Sequence, residues 1–361
     1  MRSPLSILFF AATTALLTSC LSESRDAQLD AVLNELIESN IPGAILVLDT
    51  PGANYEKAVG VEQLQTERSM NVNATLRLGS VTKTYMAALA LTLVKDGTLS
   101  LNAPVSDYLS DDIMAKLPAN QDPTLRQLMN HTTGIPDYYT ERFYLEDWTR
   151  TDPITPDLVL YAIRGLEATQ TNSQNFYYSN TNYHLLALAI EAATGEKLHD
   201  LLKTRIFDVT ILTQTYYDEA FPPGDTIHGY GSPLDANEDN YNFQENTGPD
   251  GGMYASAKET AHWIRQLFAD DGQWLDIGNR MRAELITEKE RKYQGMGVEV
   301  LESKTGARIY GHTGSVDGYL TAAFYIPAKN TTLVFHINRS DDEAFTQALS
   351  KILKIILSDN R

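Results

Sequence analysis

Three short motifs carry residue types that could together acylate a serine: Ser80-Val81-Thr82-Lys83, Tyr178-Ser179-Asn180 and His312-Thr313-Gly314. Ser80 would be the nucleophile and Lys83 a nearby amine. Tyr178 would pass a proton to a leaving group or take one from Ser80, and Asn180 would bond a substrate amide or Lys83. Such a set activates a serine without a Ser-His-Asp triad. A spacing of three places Ser80 and Lys83 on one helix face, and the helix N-terminus puts partial positive charge beside Ser80. Lys83 is the one charged residue between Ser80 and Val94. The helix therefore reads as buried on all sides, where desolvation lowers a lysine toward the neutral amine.

Each motif has a plainer reading. A serine three residues before a lysine also fits a surface helix, and Tyr178-Ser179-Asn180 could simply start a helix, capped by Asn180 or Thr181. Lys304-Thr305-Gly306 competes with His312-Thr313-Gly314, but it lies in the polar run Glu302 to Ala307 and reads as a hairpin turn. His312-Thr313-Gly314 is expected to end a strand. Its edge could bond an extended substrate, with Gly314 removing a side chain that would block the approach.

The elements that must position these motifs come from both ends of the chain. Leu29, Val32, Leu33, Leu36 and Ile37 follow the spacing of an amphipathic helix, stopped before Pro42-Gly43. Strands are expected at Ala44 to Leu48, Tyr55 to Val61, Met296 to Leu301, Arg308 to Gly311, Tyr319 to Ile326 and Thr332 to Ile337. A last helix opens with the capping pattern Ser340-Asp341-Asp342-Glu343 and buries Phe345, Ala348, Leu349, Ile352, Leu353 and Ile356. The middle is rich in helices and loops, with helices at Ser80 to Val94, Thr181 to Ala193 and Ser256 to Phe268, and a long loop over 218–250. The expected fold is α+β: an antiparallel sheet flanked by the N- and C-terminal helices (residues 26–75 plus 286–361), with a mostly helical domain, 76–285, inserted. A cleft between the two parts is the default site.

Residues 1–19 read as an export signal: Arg2, an apolar stretch from Leu5 to Leu17, then Leu17-Thr18-Ser19-Cys20. The ending resembles a bacterial lipobox. It implies lipidation at Cys20, a tether over 20–25, and anchoring in the cell envelope, at the outer membrane or facing the periplasm of a Gram-negative bacterium. An ordinary signal peptide with a chance cysteine is the alternative. Cys20 is the only cysteine, so no disulfide framework exists. The formal net charge of −18 argues against nucleic-acid partners and against adsorption to anionic lipid through a basic patch. His131, His184, His228 and His262 lack zinc spacing and are read as core or surface residues, so no metal or cofactor is expected.

Taken together, the motifs resemble the serine β-lactamase-like hydrolases, which include D-alanyl-D-alanine carboxypeptidases, class C β-lactamases and related esterases. Leu78 to Lys83, Gly97 to Val105, Leu128 to Pro136 and Gly251 to Ser256 also resemble family segments, so the likeness spans roughly 26–357. It implies a β-lactamase/transpeptidase-like fold. Ser80 would attack a carbonyl, with Lys83 or Tyr178 as base, and the backbone N–H groups of Ser80 and Ser315 would form the oxyanion hole. Thr313 would contact a substrate carboxylate and Asn180 its amide. His312, where class C β-lactamases carry lysine, points toward the carboxypeptidase branch and a small peptide or β-lactam substrate. A β-lactamase or small-ester hydrolase is the rival reading. A catalytically silent cell-wall-binding lipoprotein would be expected to carry lesions at Ser80, Lys83 or Tyr178, and none is seen. Such peptidases usually offer an arginine to a terminal carboxylate. Glu299 is expected in that place, leaving Arg308 or Arg339 as substitutes.

Overall fold

A computed structural model describes residues 24–119, 121–145, 154–169, 176–217, 227–231, 238–241 and 248–358. Residues 1–19, expected to be an export signal, Cys20 and much of the 218–250 stretch expected to be a loop lie outside the described residues. Among the described residues, twelve strands form two antiparallel sheets. The larger has the order β3-β2-β1-β12-β11-β10-β9-β8-β7. Its strands are β1 (Gly43–Asp49), β2 (Tyr55–Gln63), β3 (Arg68–Ser69), β7 (Ile286–Lys289), β8 (Lys292–Gln294), β9 (Glu299–Glu302), β10 (Arg308–Val316), β11 (Tyr319–Ile326) and β12 (Thr331–Ile337). The smaller, β4-β6-β5, joins β4 (Thr75–Arg77), β5 (Thr215–Tyr217) and β6 (Met253–Ser256). Both ends of the chain thus meet in one sheet, β1 pairing with β12 from Ala44↔Ile337 to Asp49↔Thr332.

Period-two alternation sorts the central strands into two cores. Leu46, Leu320, Ala322, Phe324, Phe335 and Ile337 face the terminal helices Arg25–Glu38 and Asp342–Ser358, meeting Leu29, Leu33, Phe345 and Ile352. Ile45, Val47, Ala323, Tyr325 and Val334 face the opposite way, into the core shared with helix Ala257–Phe268 and the nucleophile helix Thr82–Lys95. With both faces covered, all eight residues of β11 are buried. Helix Ala257–Phe268, which falls within the 76–285 insertion, packs against β1, β11 and β12.

Several expected boundaries move, each for a local reason. Met296 to Leu301 was expected to be all strand, but β9 starts at Glu299. Gly297 takes φ +67°, and a Cβ there would lie 2.5 Å from the Lys83 carbonyl oxygen, so the chain bends where it crosses the nucleophile helix. β10 does not stop before His312 but runs through the motif to Val316, held by β11 at every step. At the last helix Asp341, not Ser340, is the cap: its Oδ1 accepts from the Ala344 N–H at 2.9 Å. Ser340 Oγ instead accepts from Gly318 N–H at 2.7 Å. Lys304-Thr305-Gly306 is the β9–β10 hairpin turn, with Ser303 N–H donating to Ala307 C=O at 2.8 Å and Gly306 at φ +84°.

Candidate active site

Ser80 lies in a single 3₁₀ turn, Gly79–Val81, rather than on the helix itself, and the α-helix begins at Thr82. The turn is pinned from both sides. Leu78 N–H donates to the Met253 carbonyl at 3.0 Å, and Met253 N–H donates to Thr82 Oγ1 at 3.0 Å, tying the turn to β6. Across it runs β10. A Cβ on Gly79, whose φ is +51°, would stand 2.7 Å from the Ser315 amide nitrogen. A Cβ on Gly314 would meet the Leu78 carbonyl oxygen at 1.9 Å and the Ser80 nitrogen at 3.1 Å. Gly314 was expected to clear a path for substrate. Its missing side chain instead lets the strand close on the nucleophile turn, which brings the Ser80 and Ser315 backbones together.

Lys83 is fully buried. Its Nζ donates to Asp250 C=O at 2.7 Å, Asn180 Oδ1 at 2.8 Å and Ser80 Oγ at 3.0 Å. Three acceptors match the three protons of an ammonium. Two of them, a backbone carbonyl and an amide oxygen, can only accept. When the amine is neutral its two remaining N–H groups belong to those acceptors, and its lone pair points at the Ser80 hydroxyl. Burial lowers Lys83 to about 8, against the opposing pull of Asp250, Asp137 and Glu299.

Asn180 precedes helix Thr181–Thr194 but caps nothing with its side chain. Its amide Nδ2 and backbone N–H both donate to Asp137 Oδ2 at 2.9 Å, which leaves Oδ1 to face Lys83. Asp137 is itself raised by burial, partly offset by the hydrogen bonds it accepts from Asn180 and Tyr139. The Asp250 carboxylate is held by His184 Nε2 at 2.8 Å and lies 3.4 Å from the Tyr138 hydroxyl. Tyr178 shares a hydrogen bond with Ser80, and burial keeps its phenol well above the usual range, so it is protonated. Its ring stacks on His131 at 4.2 Å between centroids. His131 takes φ +60°, accepts from Ser179 N–H through Nδ1 at 3.2 Å, and is held neutral by burial. Asp137, Asp250 and His131 were not singled out as site residues. Their signal was position: His131 lies inside the family-like segment ending at Pro136, Asp137 directly follows it, and Asp250 directly precedes Gly251.

A cleft of about 360 Å³ opens in front of Ser80, lined by Tyr178, His312, Thr313, Gly314 and Ser315 and walled by Glu288, Lys292, Glu299 and Asp342. The structure thus gathers the other seven expected site residues, Lys83, Tyr178, Asn180, His312, Thr313, Gly314 and Ser315, around Ser80; Cys20 is outside the described residues. His312 is buried, its Nδ1 donates to the Thr313 carbonyl, and burial lowers it to the neutral form. Glu299 stands opposite Gly311, as expected of its place on the neighbouring strand. Neither proposed substitute lines the cleft: Arg308 Nε donates to Glu302 at 2.7 Å, and Arg339 lies beside Tyr230. Among the described residues no group of three or more His, Cys, Asp or Glu is placed to hold a metal ion, and no helix is long and apolar enough to cross a membrane.

The beta-lactamase family model matches residues 28–355. Among curated relatives, a penicillin-binding protein of Bacillus subtilis is 25% identical over 334 residues, covering 87% of this chain and 72% of that protein. Protein flp of Staphylococcus aureus is 22% identical over 328 residues, covering 89% of this chain and 65% of its own length. Among solved structures, a D-stereospecific amidohydrolase from a Streptomyces species has a TM-score of 0.76 at 23% identity, covering 90% of this chain and 98% of that one. The D-amino acid amidase of Ochrobactrum anthropi has a TM-score of 0.76 at 20% identity, covering 91% and 98%. These structures share the fold. With a family model spanning nearly the whole described chain, and nucleophile, amine and phenol gathered at one cleft, this protein belongs to the beta-lactamase family of serine hydrolases.

Proposed function

We propose that the protein hydrolyses amide, ester or β-lactam bonds through an acyl-enzyme on Ser80, with Lys83 as general base. The observation that carries this reading is the lone-pair geometry of Lys83: its two acceptor-only partners leave the Ser80 hydroxyl as the group a neutral amine must face. Lys83 takes the Oγ proton as Oγ bonds to the carbonyl carbon. The tetrahedral oxyanion sits against the Ser80 and Ser315 amides, and Tyr178, still a phenol, relays a proton to the departing nitrogen or oxygen. Water then adds to the acyl-serine and releases the acid, restoring the Ser80 hydroxyl. The high position of Tyr178 supports a relay rather than a base.

The D-alanyl-D-alanine carboxypeptidase reading is the finer form of this proposal. The names of the two solved relatives, an amidohydrolase and an amidase, favour amides of D-amino acids as the first compounds to try. A test compares wild type with Ser80→Ala, using a fluorescent fluorophosphonate and a fluorescent penicillin. Wild type should take up label and the variant none, with turnover falling more than about a thousandfold. Label retained by Ser80→Ala would sink the acyl-serine reading. Envelope anchoring through Cys20 is a separate proposal. Labelled fatty acid should enter the wild-type protein and not Cys20→Ser; equal incorporation in both would refute it.

A further inference from the structure

We propose that the cleft selects substrates whose leaving group bears no carboxylate, and that Glu299 is the residue responsible; the inference rests on the acyl-enzyme reading of Ser80. Thr313 lines the cleft just past the last pair of β10 with β9, so its N–H and hydroxyl are donors that a ligand anion entering there could use. β9 pairs with β10 only as far as Gly311, so beyond that point the β10 edge is open toward the cleft. Its donors, however, are taken. Thr313 N–H and Oγ1–H both donate to Glu299 Oε2, at 3.2 and 3.0 Å. Glu299 is nearly fully buried, so its carboxylate is a fixed part of the wall rather than a mobile surface group. It occupies the place an incoming carboxylate would require.

The cation nearest this spot does not reverse the balance. Lys292 Nζ lies 2.9 Å from Glu299 Oε1 and 3.1 Å from Glu288 Oε2, so two carboxylates already share its charge. Gln294 Nε2 donates to Glu288 at 2.8 Å and holds that carboxylate in place. Among the described residues, three carboxylates, Glu288, Glu299 and Asp342, line the cleft against the single ammonium of Lys292, and no arginine joins them. A carboxylate-terminated leaving group would lose its hydration, find Thr313 engaged and meet net negative charge. A primary amide, an amidated peptide, an ester or an amine-bearing group meets no such penalty. Neutral leaving groups gain an acceptor in Glu299, and cationic ones gain attraction as well.

The decisive comparison uses two ligands identical except at one end, N-acetyl-D-Ala-D-Ala as the free acid and as its C-terminal amide. Each is measured by the concentration that halves the rate of Ser80 labelling by a fluorophosphonate, a probe without a carboxylate. In wild type the amide should protect at about tenfold lower concentration than the acid. Glu299→Gln keeps an acceptor for Thr313 and removes one charge, so the gap should close by about tenfold through the acid alone. Lys292→Met removes the ammonium and should widen the gap, which guards against reading a misfolded Glu299 variant as support. Equal protection by the two ligands in wild type, an unmoved gap in both variants, or no protection by either ligand would overturn the inference. Labelling that persists in Ser80→Ala would instead overturn the acyl-enzyme reading beneath it.

Discussion

The two walls of the cleft are built in opposite ways. Behind Ser80, every partner of Lys83 is another part of the fold, drawn from three separate segments: the 3₁₀ turn, Asn180 and Asp250. That wall is buried, and the Lys83 amine within it has all three of its hydrogen-bond partners. In front, the partly exposed Glu288, Lys292 and Asp342, on strand ends and a helix start, line the open cleft beside the buried Glu299. The contrast separates chemistry from choice. A buried, fully bonded amine is poised near neutrality by desolvation, whereas the charged groups in front act mainly on which ligand enters, although Glu299 also favours the charged form of Lys83.

If the rear wall is the chemical one, its disruption should give the largest losses. Lys83→Ala should lower kcat by about a hundredfold or more while fluorophosphonate still reaches Ser80 slowly, since a positioned base contributes roughly two to four orders of magnitude. A kcat within about threefold of wild type would move the base elsewhere. Asp137→Asn comes next. It frees the Asn180 amide and removes a carboxylate that favours the charged form of Lys83, so kcat should fall about tenfold. The same change should carry the rising limb of the pH profile to lower pH. A limb displaced to higher pH would contradict the network drawn here.

The pH profile of wild type sharpens the same contrast. Deprotonation of Lys83 makes it a base, so kcat/KM should rise with pH and level off above about 8. His312, held neutral by burial, and Tyr178, held protonated, should add no second limb between pH 7 and 9. A stopped-flow acylation series over that range would show it. Gly314→Ala joins the two walls: its methyl would press on the Leu78 carbonyl, and overpacking of this kind costs about 1–3 kcal/mol, read as a lower melting temperature with weakened acylation. The smallest effect is expected at Lys304→Ala in the hairpin turn, where turnover should stay within about twofold of wild type. A larger loss would mean that Lys304-Thr305-Gly306 takes part after all.

Much of this was legible in residue order. Burial of the nucleophile helix followed from its lack of charge apart from Lys83, and the two-ended sheet followed from alternating apolar runs near both termini. The hairpin turn at Lys304 was readable from its polar neighbours. Other features were hidden because their cause lies far away in the chain. β10 continues through His312-Thr313-Gly314 because β11 pairs with it, not because of local propensity. β4, β5 and β6 are three or four residues long, too short for any periodicity to show, and exist only because they meet. Asn180 looked equally suited to capping a helix; Asp137, 43 positions earlier in the chain, decides which way its amide faces.

Residue order therefore pointed to the candidate reacting groups and to the family, because a serine, a lysine and a tyrosine in those motifs carry the same intrinsic chemistry wherever they are placed. It could not establish their protonation or their selectivity. The position of Lys83 near 8 arises from burial, opposed by the charges of Asp250, Asp137 and Glu299, brought together from distant segments. The occupation of Thr313 by Glu299 arises from the register of β9 on β10. Desolvation and hydrogen-bond saturation belong to the assembled fold, where the distances that set them first come into being.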